Sequence, residues 1–256
     1  MLHRVRGIVI RSINYGEGNV IITLYTGELG KIGVMVRGAK KTRSRHAAVT
    51  QLYTYGEYVY YKSASGTASL GSLNHAELIE PYSRIRGDLR CSAYAAYFAE
   101  LVDRFVADEE VGGIMFEQFK AALEALNQGK DPQAISFLLE MKLFQYAGIA
   151  PVTELCSSCR QELIGHKSAG WSVSSGGLLC TQCIGRFADG FDIPIAAAKL
   201  MRLFGQADLR RIGDVHIKAE TKQKLKPMVR QWMDTHADVR LKTRNVLDQV
   251  EAVYNS

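Results

Sequence analysis

The sequence predicts an α+β multidomain protein: a small closed β-barrel, then an all-α helical domain carrying a short insert of different chemistry. Three observations predict it. Alternating β-branched runs fill the first eighty residues, and helical periodicity takes over near Arg84. Two C-x-x-C pairs then bracket a glycine- and serine-rich stretch at 154–183. At 256 residues the chain is long enough for two domains and a large core.

The strands come first. Val5, Gly7, Val9 and Arg11 alternate with Arg6, Ile8, Ile10 and Ser12. VIITLYT (20–26) and KIGVMVRG (31–38) flank the turn-rich GELG (27–30), which makes a hairpin pattern. LYTYGEYVYY (52–61) reads as a fourth strand, and a fifth falls near Ser69–Ile79. Five short strands in this length fit an OB-fold, a barrel that binds single strands on one face.

From Arg84 the period changes. Leu89, Ala93, Ala96, Tyr97, Leu101 and Phe105 recur at three- and four-residue steps, the spacing of one helix face. FEQFKAALEALNQG (116–129) is a second helix, stopped by Gly129. QAISFLLEMKLFQYAG (133–148) is a third, ended by Gly148 with Pro151 beyond it. The helical pattern returns at Pro194–Gly205 and at LKTRNVLDQVEAVY (241–254). The expected division is therefore 1–80 OB-fold, 81–153 first part of the helical domain, 154–184 insert, and 185–256 second part.

Cys156 and Cys159 are two residues apart, as are Cys180 and Cys183, with twenty residues between the pairs. Each C-x-x-C turn presents two thiolates to one ion, and two such knuckles complete a tetrahedron. Four sulfur ligands leave no open coordination position, so one structural Zn2+ per chain is expected. Metal-binding energy on the order of 10 kcal/mol or more substitutes for the core that so short a segment lacks. GWSVSSGGLLC (170–180) fits a hairpin carrying the second knuckle. Disulfide and redox chemistry are the alternatives, and a cytosolic location disfavours both. His166 is expected to face solvent, and Cys91 to serve as a small buried residue of the first helix.

Charge is unevenly distributed. Residues 1–80 hold ten Lys/Arg against five Asp/Glu, residues 81–150 seven against ten, and residues 151–256 fifteen against eleven. Five of the first ten cations fall in RGAKKTRSRH (37–46): Arg37, Lys40, Lys41, Arg43 and Arg45. The nearest acids are Glu28 and Glu57. A focused basic run with no internal acid points to a polyanionic partner, nucleic acid first among them. A solvated loop is the bland alternative. Lys218, Lys222, Lys224, Lys226 and Arg230 form a second cluster, on a helix that Pro227 is expected to interrupt.

Enzymatic motifs are missing. GELGKIG (27–33) lacks the glycine a phosphate loop needs at Tyr25 and the hydroxyl it needs at Ile32. No G-x-G-x-x-G opens a helix, no H-E-x-x-H or G-x-S-x-G occurs, and the six histidines are scattered. Function by binding is expected, with no catalytic residues. The opening residues lack a signal-peptide core and no run is long enough to span a membrane, so a cytoplasmic protein without membrane partners is expected. The rival readings are a zinc-containing interaction scaffold and a hydrolase built from dispersed polar residues.

The assembled order resembles the RecO family of bacterial recombination mediators across essentially the whole chain. The YGE turn (15–17), the TGELGK hairpin (26–31), the RGAKKTRSR segment and the terminal LKTRNVLDQV carry the resemblance. Some family members lack the zinc knuckles, whereas this chain keeps all four cysteines. The resemblance implies an OB-fold followed by helices with an inserted zinc-binding element. It also implies binding to single- and double-stranded DNA, annealing of complementary strands, and no nucleotide hydrolysis. The partners it implies are RecR, the acidic tail of single-stranded DNA-binding protein (SSB) and, indirectly, RecA. On this reading the 37–45 row lies beside the barrel's binding face, with Arg37 fixed and the later cations on a flexible stretch following phosphates.

Overall fold

The computed structural model of the protein describes residues 1–62, 70–108, 110–163 and 168–254. His166 and the expected start of the fifth strand at Ser69 lie outside the described residues. The chain forms two compact units, Met1–Gly129 with Leu241–Ser256, and Lys130–Arg240.

In the first unit, five strands close a barrel in the order β1-β2-β3-β5-β4. β1 (Leu2–Tyr15) serves two neighbours: residues 2–8 pair antiparallel with β4 (Tyr55–Tyr61) and residues 7–15 with β2 (Asn19–Thr26). A bulge between Val9 and Arg11 lets one strand bend between both partners. β2 returns antiparallel into β3 (Gly30–Val36) through the TGELG turn. There the Thr26 hydroxyl accepts from the Leu29 N–H at 3.0 Å and donates to the Gly30 carbonyl at 2.9 Å. β5 (Leu70–Glu80) pairs antiparallel with β4 and parallel with β3, which closes the barrel. Alternation sends Val5, Val9, Val20, Ile22, Leu24, Val34, Val36, Tyr58 and Tyr60 into one core.

Helices α1 (Ser83–Gly87), α2 (Leu89–Phe105), α3 (Gly113–Asn127) and α7 (Thr243–Tyr254) complete this unit. The helix read from Leu89 to Phe105 is α2; α1 precedes it as a separate turn, because Asp88 caps the new start and accepts from the Cys91 N–H at 2.8 Å. Tyr25 of β2 meets Phe116 and Phe119 of α3 at ring-centroid distances of 5.6 and 6.1 Å. Charges used in the scaffold are matched. Lys31 Nζ reaches the Asp103 carbonyl at 2.8 Å and the Asp108 carboxylate at 2.9 Å. Arg90 grips Glu251 with two bonds of 2.5 and 3.1 Å, joining α2 to α7. Cys91 is buried, as its place on the helix predicts.

The second unit holds α4 (Pro132–Tyr146), α5 (Ile195–Gln206), α6 (Ala219–His236) and a three-stranded sheet, β7-β6-β8. α4 starts where Asp131 accepts from the Gln133 and Ala134 N–H groups, with Pro132 in the first turn. It ends before Gly148, whose φ of 71° suits glycine. The expected hairpin is present as β6 (Ser168–Ser172) and β7 (Gly177–Leu179). β8 (Phe191–Pro194), which sequence periodicity did not reveal, adds to the free edge of β6. The expected interruption at Pro227 does not occur: α6 runs through it from Ala219 to His236. Proline removes one backbone bond there, while Leu225, Met228, Val229, Trp232 and Met233 keep the helix anchored by burial. Among the described residues no helix is long and apolar enough to cross a membrane.

Candidate nucleic-acid interface and metal site

Residues 37–47 leave the end of β3 as a series of turns. The Gly38 N–H donates to Asn19 Oδ1 at 2.9 Å and the Lys40 N–H to the Gly18 carbonyl at 3.1 Å, tying the segment to the β1–β2 turn. Turn bonds then run from Lys41 N–H to Gly38, Ser44 N–H to Lys41 and Ala47 N–H to Ser44. Ala39 is buried in the barrel core and plugs the segment down. The backbone is thus fastened, while Arg37, Lys40, Lys41, Arg43 and Arg45 are all exposed. Among the described residues none of the five forms an ion pair. Burial, then Arg45 and His75, hold the neighbouring His46 imidazole below its ordinary range. It accepts from Arg45 Nε at 3.3 Å as a neutral ring and adds no charge to the row.

The tyrosine-rich fourth strand divides as alternation demands. Tyr58 and Tyr60 are buried, Tyr61 is exposed, and Tyr55 sits half-buried beneath Lys120, whose Nζ lies 5.0 Å from the ring centroid. Tyr53 is different. It precedes the strand with φ of 67°, a left-handed conformation uncommon for a bulky residue. Its N–H donates to the Val9 carbonyl at 2.8 Å, and the Val9 N–H donates to the Thr54 carbonyl at 3.1 Å, beside the bulge of β1. Beside this turn lies a groove of about 540 Å³ that Lys40 also lines. The sequence pattern passed over this turn, because a positive φ at tyrosine leaves no periodic trace.

In the second unit the sulfurs of Cys156, Cys159, Cys180 and Cys183 all lie within 4.8 Å of one another. Cys159 and Cys180 are 3.8 Å apart. Tetrahedral zinc with bonds of about 2.3 Å places its sulfurs about 3.8 Å apart, so the donor set and spacing fit such an ion. The first knuckle is shaped by the Cys156 N–H donating to the Gln161 carbonyl and the Arg160 N–H donating to Cys156. The second is a turn from Cys183 N–H to Cys180, continued by Arg186 N–H to Cys183. Burial works to raise the Cys156 thiol, but N–H groups of Cys159, Cys180 and Ser158 outweigh it and bring it down to about 6. Burial, then the neighbouring thiols, pushes Cys183 up to about 11. Thiols crowded this closely cannot all ionise without a cation among them.

The insert is pinned from outside the knuckles as well. The Ser157 N–H donates to the Leu178 carbonyl at 2.8 Å, and Val152 exchanges bonds with Gly176 and Leu178. A Cβ on Gly177 would lie 2.3 Å from the Val152 carbonyl oxygen, so only glycine fits. Asp189 accepts from Ser172 Oγ at 2.8 Å, Val173 N–H at 2.8 Å and Ser174 N–H at 2.9 Å, which holds the hairpin tip. The second basic cluster is less uniform. Lys222 pairs with Asp131, and Lys218 and Lys224 are exposed.

Comparison with known proteins places both halves. The family model described as "Recombination protein O N terminal" matches residues 1–82, and "Recombination protein O C terminal" matches residues 86–245. The chain is 39% identical over 253 residues to the DNA repair protein RecO of Halalkalibacterium halodurans, covering 99% of this chain and 97% of that one. It is 40% identical to the protein of the same name from Bacillus subtilis, covering 99% and 96%. To its Listeria monocytogenes counterpart it is 36% identical, covering 98% and 95%. These matches span both units and the cysteine insert. The chain belongs to the RecO family.

Proposed function

We propose that the chain is a DNA-binding recombination mediator that acts in DNA repair. It holds single- and double-stranded DNA by the phosphates, anneals complementary strands and, with RecR, helps install RecA on strands coated by SSB. The acidic SSB tail is a further partner. The protein makes and breaks no covalent bonds, and it works in the bacterial cytoplasm at the nucleoid. Residues 1–80 carry DNA binding, 81–153 and 185–256 form the helical domain, and one structural Zn2+ on Cys156, Cys159, Cys180 and Cys183 holds 154–184.

One observation carries this reading: Arg37, Lys40, Lys41, Arg43 and Arg45 stand exposed, with no ion pair among the described residues, on a fastened backbone at one end of a five-stranded barrel. Such a row neutralises phosphates without reading bases, which suits a protein acting on any broken sequence. Two single strands repel each other, and cations on their backbones screen that repulsion while leaving base edges free to pair. The test is annealing of complementary oligonucleotides by the purified protein without nucleotide, repeated with SSB-coated strands. Acceleration in both forms is expected. Changing all five residues to alanine should abolish it; retained annealing would overturn the site assignment, and a wild-type protein that anneals nothing would overturn the function.

A further inference from the structure

We infer that the groove beside the basic row, floored by Leu52, Tyr53 and Arg86, is a subsite for one unstacked nucleotide of a single strand. The inference rests on the proposed DNA-binding reading and deepens it. The groove measures about 540 Å³, within the range of small-ligand sites, and Asn14, Ala39 and Lys40 continue it into the basic row. Its two chemistries suit a nucleotide. Arg86 is fixed but not neutralised: Nε donates to the Pro81 carbonyl at 2.8 Å, NH2 to Thr54 Oγ1 at 2.6 Å, and NH1 to Gln51 Oε1. All three acceptors are uncharged, and Arg86 forms no ion pair among the described residues. A guanidinium with five N–H donors keeps two of them, and its whole charge, for a phosphate.

The apolar side is equally specific. The Gln51–Thr54 turn holds Tyr53 at positive φ and leaves Leu52 37% exposed at the groove. A leucine and a half-buried tyrosine beside a fixed cation offer a platform for a base and an anchor for its phosphate. A base stacked and paired within a duplex cannot reach it, so only single strands engage the groove. One such seat per chain withholds one base from pairing and leaves its neighbours free, which keeps the site compatible with annealing.

The test compares labelled oligothymidylate with an abasic oligomer of equal length and with a matched duplex, all bound to the full chain. Oligothymidylate should bind about tenfold more tightly than the abasic strand. The double variant Leu52→Ala/Tyr53→Gly should bring that ratio to about one, leaving duplex and abasic binding unchanged; glycine accepts the left-handed backbone at position 53. Equal binding of the two strands by the unmodified chain, or an undiminished ratio in the variant, would overturn the subsite while leaving the charge-based reading standing. Failure to bind either strand, or binding indifferent to salt, would overturn both. Ultraviolet crosslinking of a 5-iodouracil oligonucleotide to the unmodified chain needs no variant to fold. Adducts should fall on the peptide holding Leu52 and Tyr53, and adducts confined elsewhere would overturn the assignment.

Discussion

The basic turns at 37–47 and the cysteine insert at 154–184 are held in opposite ways. The first is fastened by its main chain to the barrel, so its five cationic side chains are left to solvent, with no ion pair among the described residues. The second turns its polar atoms inward: four sulfurs converge, and Asp189 gathers donors from Ser172, Val173 and Ser174. Unmatched charge is a liability to a fold and an asset to a binding surface. Matched polar groups do the reverse: they hold the insert together beside its buried Trp171, Leu178 and Leu179, and leave little for a partner. Arg90 with Glu251 shows that the first unit, too, pairs the charges it uses structurally.

The contrast can be broken most forcefully at the metal. If the four thiols hold an ion as proposed, strong chelation should release about one metal per chain and loosen the insert, because binding on the order of 10 kcal/mol ties its two knuckles together. The chain has two tryptophans, and Trp171 of β6 lies 5.4 Å from Trp232 of α6. Tryptophan emission should therefore shift red as metal leaves, while strand signal from the barrel persists. Unchanged emission after complete release would mean the insert holds itself. Next comes Arg90→Ala, which removes a matched cation. Glu251, with 5% of its side chain exposed, would lose both of its bonds to Arg90, and urea denaturation should show a loss of about 3–5 kcal/mol. The salt dependence of DNA binding should not move.

Removing the unmatched cations should do the opposite. With all five on phosphates of one strand, log affinity should fall with log salt at a slope of about −3.5, so raising salt from about 50 to about 200 mM costs roughly a hundredfold. The five-alanine variant should lose that slope, with stability changes within about 0.5 kcal/mol per site. A variant that keeps the slope would move the interface elsewhere. The smallest effect is expected at Asp189. Burial works to raise its carboxyl, but the Ser174 hydroxyl and N–H, then Ser172 and Val173, outweigh it and hold it well below the usual carboxylate range. Its contribution is therefore present above the unfolded value of about 3.9 and is lost as pH falls below that toward the folded value. Asp189→Asn should remove about 1–2 kcal/mol at neutral pH and flatten that acid loss, as followed by tryptophan emission.

The four-cysteine cluster was legible because its chemistry is local: two C-x-x-C turns name four converging sulfurs in eight residues. The barrel was legible because one buried face makes a period of two, as Val20, Ile22 and Leu24 show. The basic row was visible as charge, but its fastening was not, since the bonds to Gly18 and Asn19 come from a turn twenty residues away. Pro227 was misjudged for a related reason. Proline's local penalty is readable, whereas the buried side chains that outweigh it are contributed by packing. The left-handed turn at Tyr53 was invisible, because tyrosine there defies local preference and is held by β1.

The residues in order determine which chemistry this protein owns: five clustered cations, four paired thiols, a barrel's alternation and several helix faces. These are properties of neighbours a few bonds apart, and side-chain periodicity records them directly. Only the folded chain decides which charges are matched. Arg90, Lys31 and Lys222 meet carboxylates far off in sequence, whereas Arg37, Lys40, Lys41, Arg43 and Arg45 meet none among the described residues. That distinction depends on distances through space between remote segments, and a Coulomb interaction is set by separation in three dimensions and not by position along the chain.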